Sequence, residues 1–369
     1  MKILISKEQM MQGLQAVQNI VGSRTTLPIL SNVLLRADEN RLGLTATDLD
    51  VTISCTVQAE IKSPGHTTLP VRKIFGIVRE LASLEIDLEV DEKNTCVLRS
   101  GSSFYKINGL PAEEFPPLPN FAEKKKITVP QEKLKSMLRR TSFAISTDET
   151  RFVLNGIFFS LKEHKMTMVA TDGRRLALTD EDVDVPEESQ GEFIVPTKAI
   201  NELNRLLQAK GDVEIKFTDN QVAFTLRDEG GPSILIISKL VEGNYPNYRQ
   251  VIPTEARERI ALGREEFLQA LRRAEIMTSE KSNSVKLNFT KNNLAITANT
   301  PEVGEARESL AINYKGRDLA IAFNPIYLMD PLKALDNDEV FLELIDELSP
   351  GVLKINGPFL YVLMPMRMS

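Results

Sequence analysis

The chain has 369 residues, of which 42% are hydrophobic and 26% charged, an ordinary balance for a folded globular protein. Its only cysteines are Cys55 and Cys96 and it has two histidines, which excludes a disulfide framework and a Cys/His metal site. No segment approaches the ~20 apolar residues that span a bilayer, and the first residues show no signal-peptide pattern, so a cytoplasmic protein is expected. We expect both cysteines to be buried and reduced.

The same order of predicted elements occurs three times along the chain. Each copy begins with a short strand and an amphipathic helix, in the segments KILISKEQMMQGL, KITVPQEKLKSML and RIALGREEFLQAL. Alternating runs typical of an antiparallel meander follow, among them LGLTATD, MTMVATD and LAITANT. A second helix comes next, introduced by a proline. Helices are predicted at residues 6–20, 71–83, 131–145, 197–208, 264–278 and 325–335.

Three ordered copies predict three domains made from one building block. The fold class is therefore α+β, with two helices packed on antiparallel sheets in each copy. The predicted domains are 1–124, 125–253 and 254–369, and the proline-rich segments 113–121 and 244–253 are candidate linkers. Pro331 lies inside the last predicted helix, where it removes a hydrogen bond at a cost of ~3 kcal/mol, so we expect a kink or an early end there.

Charge is unevenly distributed between the predicted helices and the rest of the chain. The net charge of the whole chain is −6. The predicted helices together carry +6, which leaves −12 on the strands and loops. Segregated charge of this kind steers a polyanion towards one surface. The alternative is that helices simply favour lysine and arginine.

Few residues suggest catalysis. His66 and His164 lie in polar, loop-like surroundings without a serine or cysteine partner at a recognisable spacing. No phosphate-binding glycine loop is present in the sequence. A hydrolase that uses Asp48 and Asp172 with a metal is one alternative, but the third copy has Thr300 at that position. A repeat scaffold that binds only proteins is another.

Two segments suggest a surface for partners. The turn around Gly173 places a flexible residue among arginines and apolar residues, which suits a peptide groove, although a plain hairpin tip has the same composition. Near the end of the chain Met364, Met366 and Met368 alternate along the segment YVLMPMRMS. Methionine is adaptable and common at binding surfaces. The alternative is an edge strand whose methionines pack inside.

Several motifs together resemble the bacterial β sliding clamp family, the processivity subunits of DNA polymerase III. The resemblance covers the whole chain and is carried by Arg24 with TLPIL at 26–30, VRKIF at 71–75, VLNG at 153–156, ATDGRRLA at 170–177, SKLVEGNYPNYRQVIP at 238–253 and MPMR at 364–367. It implies three tandem copies of the DNA clamp fold, and two chains joined head to tail in a ring. It also implies a non-enzymatic processivity factor without a cofactor or a membrane association.

The resemblance further implies the partners. These are double-stranded DNA, encircled without sequence specificity, and the replicative polymerase, clamp loader and repair proteins, bound through short linear motifs. The implied DNA-binding residues are Arg24, Arg72, Lys73, Arg79, Lys198 and Arg205. The implied peptide pocket consists of Leu154, Thr171, Gly173, Arg174, Arg175, Leu176, Pro246, Val251, Val362, Met364, Pro365, Met366 and Arg367. The implied dimer contact joins Phe104 and Tyr105 to Ile276 and Met277 of a second chain.

Four positions depart from the family pattern. Arg174 stands where a histidine often follows the glycine, and Gln250 where an arginine often precedes the valine. These two substitutions are expected to shift peptide preference. Thr197 replaces an arginine that commonly precedes the lysine, which removes one potential phosphate contact. Ser369 lies one residue beyond the usual end and is expected to alter the border of the pocket.

Overall fold

The computed structural model describes residues 1–22, 27–118, 121, 125–227, 231–279 and 283–367. Its α-helices are α1 (Lys7–Val17), α2 (Val71–Glu80), α3 (Gln131–Thr141), α4 (Thr197–Leu206), α5 (Arg264–Glu275) and α6 (Pro325–Ala334). Each begins within one residue of its predicted start and ends earlier than predicted. For α1 and α3 the predicted ends include the 3₁₀ turns at Gln18–Ile20 and Ser142–Ala144, which continue these helices.

The strands are short and all their pairings are antiparallel. In chain order they are β1 (Lys2–Ser6), β2 (Asn32–Asp38), β3 (Arg41–Thr47), β4 (Val51–Gln58), β5 (Glu60–Ser63), β6 (Gly65–Pro70), β7 (Glu85–Val90), β8 (Thr95–Ser100), β9 (Ser103–Asn108), β10 (Lys126–Pro130), β11 (Gly156–Lys162), β12 (Lys165–Thr171), β13 (Arg175–Asp182), β14 (Gly191–Pro196), β15 (Asp212–Phe217), β16 (Gln221–Arg227), β17 (Ser233–Lys239), β18 (Glu258–Gly263), β19 (Val285–Thr290), β20 (Asn293–Thr300), β21 (Gly304–Ala311), β22 (Leu319–Phe323), β23 (Glu339–Leu344), β24 (Gly351–Lys354) and β25 (Phe359–Leu363). The predicted α+β class is confirmed.

The chain forms two compact units. The first comprises residues 1–135, 186–190 and 198–240, and contains a five-stranded sheet in the order β5-β1-β7-β8-β9 and an eight-stranded sheet in the order β10-β15-β16-β17-β4-β3-β2-β6. In the eight-stranded sheet, β17 pairs with β4, so strands from the first two sequence copies share one sheet. The helix α1 packs on β3, β4 and α2.

The second unit comprises residues 136–185, 191–197 and 241–369. Its sheets have the orders β14-β11-β12-β13-β25-β24-β23-β18 and β21-β20-β19-β22. Here β13 pairs with β25, which joins strands from the second and third copies. The boundary between the two compact units therefore falls within the second sequence copy. The three-domain boundaries read from the sequence stay a prediction.

The aligned apolar positions of the three copies all lie in the core. Each of these side chains has an exposed fraction of at most 2%. They are Ile3, Met10, Leu14, Ile127, Leu134, Leu138, Ile260, Phe267 and Leu271. Full burial of one such side chain stabilises the fold by ~1.5–3 kcal/mol. The repeated pattern of the sequence therefore marks core positions, as predicted.

The repeat also extends to a contact between the two helices of each copy. Lys7 on α1 donates to the carbonyl of Leu81 beyond α2 at 2.5 Å, and Lys135 on α3 donates to the carbonyl of Leu207 at 2.9 Å. In the third copy Arg264 on α5 donates to the Leu332 carbonyl of α6 at 3.0 Å. A cation is favourable at a helix C-terminus because the last carbonyls lack partners and carry partial negative charge. Lys135 thus has a structural role, although it lies on a helix with a net positive charge.

Pro331 does not end the last helix early, so that part of the expectation is wrong, while the kink stays a prediction. The helix α6 continues to Ala334, and the Leu335 N–H donates to the Pro331 carbonyl. Proline lacks an N–H, so the carbonyl four residues earlier, on Tyr327, loses its helical partner. The buried phenol of Tyr361 donates to this carbonyl at 2.8 Å. A side chain from β25 therefore replaces the hydrogen bond that Pro331 removes.

Both cysteines are free and buried, as predicted. Burial raises the pKa of the Cys55 and Cys96 thiols to about 12, so they are neutral and unreactive at physiological pH. Among the helices of the described residues, none is long and apolar enough to cross a membrane.

Candidate functional site

A cavity of about 300 Å³ lies on the eight-stranded sheet of the second unit. It is lined by Leu154, Thr171, Gly173, Arg174, Arg175, Leu176, Pro246, Asn247, Tyr248, Val251, Val362 and Met364. Ten of the thirteen residues predicted for a peptide pocket are in this lining. The structure thus brings together side chains from the end of β12, from β13, from residues 246–251 and from the C-terminal segment.

The floor of the cavity is apolar because two neighbouring strands place their side chains on the same face. Leu176 on β13 lies opposite Val362 on β25, and each is 3% exposed. Both belong to a hydrophobic cluster with Phe158, Val169 and Ile194. Side chains directly opposite each other on paired strands share one face of a sheet. This pairing joins residues almost two hundred positions apart, which local sequence patterns do not indicate.

One wall is formed by residues 245–251, which were predicted to be part of a linker. Tyr245 stacks on Phe158 with ring centroids 4.9 Å apart, and its hydroxyl donates to the Val169 carbonyl at 3.4 Å. Burial raises the pKa of the Tyr245 phenol, so this group is neutral at physiological pH. Tyr248 packs on Phe158 from a second direction, at 5.9 Å. The segment is thus a packed wall anchored by two aromatic residues spaced by three, and its assignment as a linker between domains stays a prediction.

The rim is a turn between β12 and β13. The Asp172 carboxylate accepts hydrogen bonds from the N–H groups of Arg174 and Arg175, at 2.8 and 3.1 Å. Gly173 has a φ of +85°, and a Cβ there would lie 2.5 Å from a guanidinium nitrogen of Arg151. The positive φ favours glycine here, whereas the end of the flexible Arg151 side chain could move aside. The Met364 N–H donates to the Arg174 carbonyl at 2.9 Å, which fixes the C-terminal segment against this turn.

The same turn occurs in the first unit. The Asp48 carboxylate accepts from the N–H groups of Asp50 and Val51, at 3.1 and 2.8 Å. The two aspartates that suggested a metal-dependent hydrolase are thus acceptors in equivalent hairpin turns. Within the described ranges, no cluster of three or more His, Cys, Asp or Glu side chains is placed to hold a metal ion.

Arg175 is the charged centre beneath the rim. Its guanidinium donates to Asp172 at 3.0 Å, to Asp330 at 2.5 Å and to the Phe143 carbonyl at 2.7 Å, and its side chain is only 10% exposed. It also lies 4.3 Å from the ring centroid of Tyr327. Burial disfavours its charge, but Tyr361 and the two carboxylates raise the pKa of the guanidinium. Arg175 therefore holds the Asp172 turn against Asp330 and the Phe143 carbonyl, whereas the neighbouring Arg174 is exposed.

The C-terminal segment divides between two places. Met364 lines the cavity and is 48% exposed, whereas the Met366 N–H donates to the Ala322 carbonyl at the edge strand β22, at 2.7 Å. Arg367 lines a separate cavity. Pro365, Met366 and Arg367 were predicted for the pocket and are not in its lining. Neither Met364 nor Met366 is buried, so the core-filler alternative does not describe them; Met368 and Ser369 lie outside the described residues.

Comparison with known proteins decides the family. Models of the N-terminal, central and C-terminal domains of the DNA polymerase III beta subunit match residues 1–119, 128–247 and 249–367. The chain belongs to the DNA polymerase III beta subunit family, the β sliding clamps. Among curated relatives, the beta sliding clamp of Chlamydia muridarum is 36% identical over 368 residues, covering 100% of this chain and 99% of the relative. That of Proteus mirabilis is 37% identical over 376 residues, with full coverage of both chains.

The solved structures agree. The crystal structure of a sliding clamp from Bartonella birtlesii bound to griselimycin has a TM-score of 0.94, 35% identity and complete coverage of both chains. These matches confirm the three tandem clamp domains. They also confirm the role as a DNA polymerase processivity factor that the sequence predicts.

The predicted DNA-binding residues of this sliding clamp lie in the first unit, apart from Arg24, which is outside the described residues. Arg72, Lys73 and Arg79 are exposed on α2, on the side away from buried Ile74 and Val78. Lys73 has no ion-pair partner among the described residues.

The two predicted cations on α4 already have partners within the chain. Lys198 is exposed and pairs with Asp48. Arg205 donates to the carbonyls of Gln15 and Ala16 at the end of α1, at 2.8 and 2.7 Å, and pairs with Glu202. The contacts of Arg205 are those of a residue that joins two helices.

The predicted dimer residues are largely exposed. Phe104 and Tyr105 on β9 are 60% and 37% exposed, and Ile276, directly after α5, is 72% exposed. Met277 is half-buried. The clamp also presents β9 and β21 as edge strands of their respective sheets.

Proposed function

We propose that two copies of this chain close into a ring around duplex DNA, and that the ring tethers DNA polymerase, clamp loader and repair proteins by their short linear peptides. The cavity over Leu176 and Val362 carries the proposal, because it combines an apolar floor with polar groups at its rim. Sites of this kind hold a few apolar anchors while polar groups fix orientation. A peptide with a glutamine followed by apolar residues has the matching chemistry.

Met364 offers the most direct test of the cavity. Replacing it with alanine removes an exposed apolar wall, and truncation of a central contact in such a site costs ~2 kcal/mol or more. Met364→Ala, or deletion of residues 364–369, is expected to weaken a labelled clamp-binding peptide about tenfold or more, at ~1.4 kcal/mol per decade. Fluorescence titration measures this. Leu348→Ala, which removes an even more exposed apolar side chain outside the lining, is the control, and affinity equal to the parent in both Met364 variants would contradict the proposal.

The repeat supports self-assembly by showing which edge strands correspond. Successive strand pairings starting from the aligned residues Ile3, Ile127 and Ile260 lead to Tyr105 on β9, Ile236 on β17 and Tyr361 on β25. The strands β17 and β25 are each paired inside the chain, with β4 and β13. β9 is their equivalent at a free edge. An exposed edge carrying apolar side chains is a template for pairing with another chain.

The register of this pairing follows from the same comparison. Ile236 lies opposite Ile53, and Tyr361 lies opposite Ala177. The third-copy equivalent of Ile53 and Ala177 is Ala306 on the free edge strand β21. Tyr105 of one copy therefore pairs with Ala306 of another, which places Lys106 opposite Glu305. Two such contacts related by a twofold axis close a ring.

Weak contact with DNA is required if the ring slides. A ring that fixed many phosphates would bind tightly and salt-dependently, and base contacts would stop it at particular sequences. Exposed helical cations such as Lys73 instead attract the duplex without a fitted site. Retention on nicked circular DNA, and loss after linearisation, is the experiment that tests the ring. Equal retention on both forms would contradict a topological link.

The predicted DNA-binding cations are expected to matter for DNA but not for assembly. Replacing Arg24, Lys73 and Lys198 together with alanine should lower retention on circular DNA and reduce its salt dependence, while the mass of the dimer is unchanged. The matched control replaces three exposed strand and loop lysines, Lys62, Lys93 and Lys291, and removes the same charge. Retention of the Arg24, Lys73 and Lys198 variant equal to that of the control across a salt series would argue against a basic lining.

The proposal includes the absence of catalysis and a cytoplasmic location. The hairpin-turn roles of Asp48 and Asp172 support the first, because both carboxylates are occupied by backbone donors. The family role in replication supports the second. Metal-dependent hydrolysis by purified protein, lost on Asp172→Asn, would revive the enzyme alternative.

A further inference from the structure

A second cavity of the second unit concentrates positive charge. It measures about 480 Å³ and lies against the sheet β21-β20-β19-β22. Its charged lining residues are Lys286, Arg307 and Arg367, with Glu305 as the single carboxylate. We refer to these four residues as the basic basin. The basin has an excess of two positive charges on a chain whose net charge is −6.

The strand register explains why these charges lie together. Lys286 on β19 is opposite Thr297 on β20, which in turn is opposite Arg307 on β21. On its other side, Lys286 lies opposite Ala322 on β22, and Ala322 holds the C-terminal segment through its bridge to Met366. Residues directly opposite each other share one face of a sheet. The row therefore places two strand cations on one face and brings Arg367 to it from the chain end.

The cations of the basin differ in ion pairing from a cation on the adjacent helix. Among the described residues none of the three forms an ion pair, whereas Arg273 on the adjacent helix pairs with Glu308 of the same strand at 2.6 Å. Cations held together without partners raise the local potential and favour an anionic ligand. In the proposed dimer Lys106 of the second copy lies opposite Glu305, which offsets the one carboxylate of the basin.

The C-terminal segment runs from the peptide cavity to the basin. Met364 lines the peptide cavity and Arg367, three residues later, lines the basin. Three residues of extended chain span at most ~10 Å. A peptide that leaves the cavity beside residues 364–367 therefore reaches the basin within about three or four of its own residues.

We propose that the basic basin binds acidic residues that flank the apolar motif of partner peptides. This inference rests on the proposed role of the cavity as a peptide site. Peptide is favoured over nucleic acid as the ligand because the basin adjoins the segment that lines the peptide cavity, on a sheet face, whereas the predicted DNA-binding cations among the described residues lie on helices. Acidic flanks then increase the affinity of a peptide, and this increase becomes smaller as the salt concentration rises. Partners that share the same apolar motif would therefore differ in affinity according to their flanks.

Three labelled peptides with one clamp-binding motif test this inference: one with four acidic residues after the motif, one with four acidic residues before it, and one with neutral serine and asparagine extensions. The acidic peptide that should gain is the one whose acidic flank leaves the cavity beside residues 364–367. At low salt it is expected to bind the parent protein roughly threefold to tenfold more tightly than the neutral one. Lys286→Glu should abolish this gain and leave the neutral peptide unaffected. Lys291→Glu, the same charge change at an exposed position outside the basin, should preserve the gain.

The outcomes separate the inference from the function on which it rests. Failure of the neutral peptide to bind the parent would overturn both. Binding of the neutral peptide without any acidic gain, or a gain that survives Lys286→Glu, would overturn the basin alone. A short single-stranded oligonucleotide provides the last comparison. If Lys286→Glu weakened the oligonucleotide but spared the acidic gain, the basin would be a nucleic-acid site and the inference would fall.

Discussion

The double variant Ile276→Asp, Met277→Asp is expected to be a folded monomer that no longer remains on circular DNA. Ile276 is 72% exposed and Met277 is half-buried, so neither carboxylate is forced into the core of a single chain. In the proposed dimer both would be buried against β9 of the second copy, and an uncompensated buried charge costs several kcal/mol. Light scattering at low micromolar concentration measures the mass. A dimer mass for this variant would show that the interface is misplaced.

The predicted register has its own test in the pair formed by Lys106 and Glu305. Lys106→Glu places two like charges opposite each other on paired strands and is expected to weaken the dimer. Adding Glu305→Lys restores opposite charges, and should recover most of the lost affinity. Lys93→Glu, in an exposed loop, is the matched control. If the second substitution weakened the dimer further, the strands would pair in another register.

Local periodicity was sufficient to predict the helices and most of the core. The apolar spacing that predicted α3 places Leu134 and Leu138 inside, and the positions aligned with them in the other copies are equally buried. Burial of one face depends only on side chains three and four residues apart. Such information is present in a short window of sequence.

Strand pairing between copies was not predicted because it joins distant segments. The pairing of β13 with β25 creates the floor of the peptide cavity, yet alternation within either strand indicates only which residues share a face. The resemblance to β sliding clamps supplied the pocket residues that periodicity does not reveal. It also assigned Arg367 to that pocket, whereas the structure places it in the basic basin.

Pro331 shows a second limit of sequence reasoning. Its cost to a helix is well founded, and its position in the sequence is unambiguous. The missing hydrogen bond is replaced by Tyr361, thirty residues later and on a strand. No rule of local propensity contains that compensation, because it depends on how α6 packs against β25.

Arg175→Met is expected to destabilise the second unit by ~3–5 kcal/mol, the range for removing one partner of a buried ion pair. The substitution retains apolar bulk but leaves the Asp172 carboxylate without its cation, Asp330 with only the more distant Lys333 at 3.8 Å, and the Phe143 carbonyl without its donor. Thermal unfolding followed by near-ultraviolet circular dichroism measures the loss. Arg174→Met is the control: it removes the adjacent, exposed arginine and should change stability by no more than ~0.5 kcal/mol.

A second substitution separates lost charge pairing from lost packing. Asp330→Asn in the Arg175→Met background removes one of the two carboxylate charges, so it should return part of the lost stability, although the same change in the parent protein is destabilising. Because the Asp172 turn forms the rim of the peptide cavity, Arg175→Met should also weaken peptide binding in the folded protein. Equal stability of the Arg175→Met and Arg174→Met variants would mean that the buried guanidinium contributes little net stability, and that its neighbours hold the rim without it.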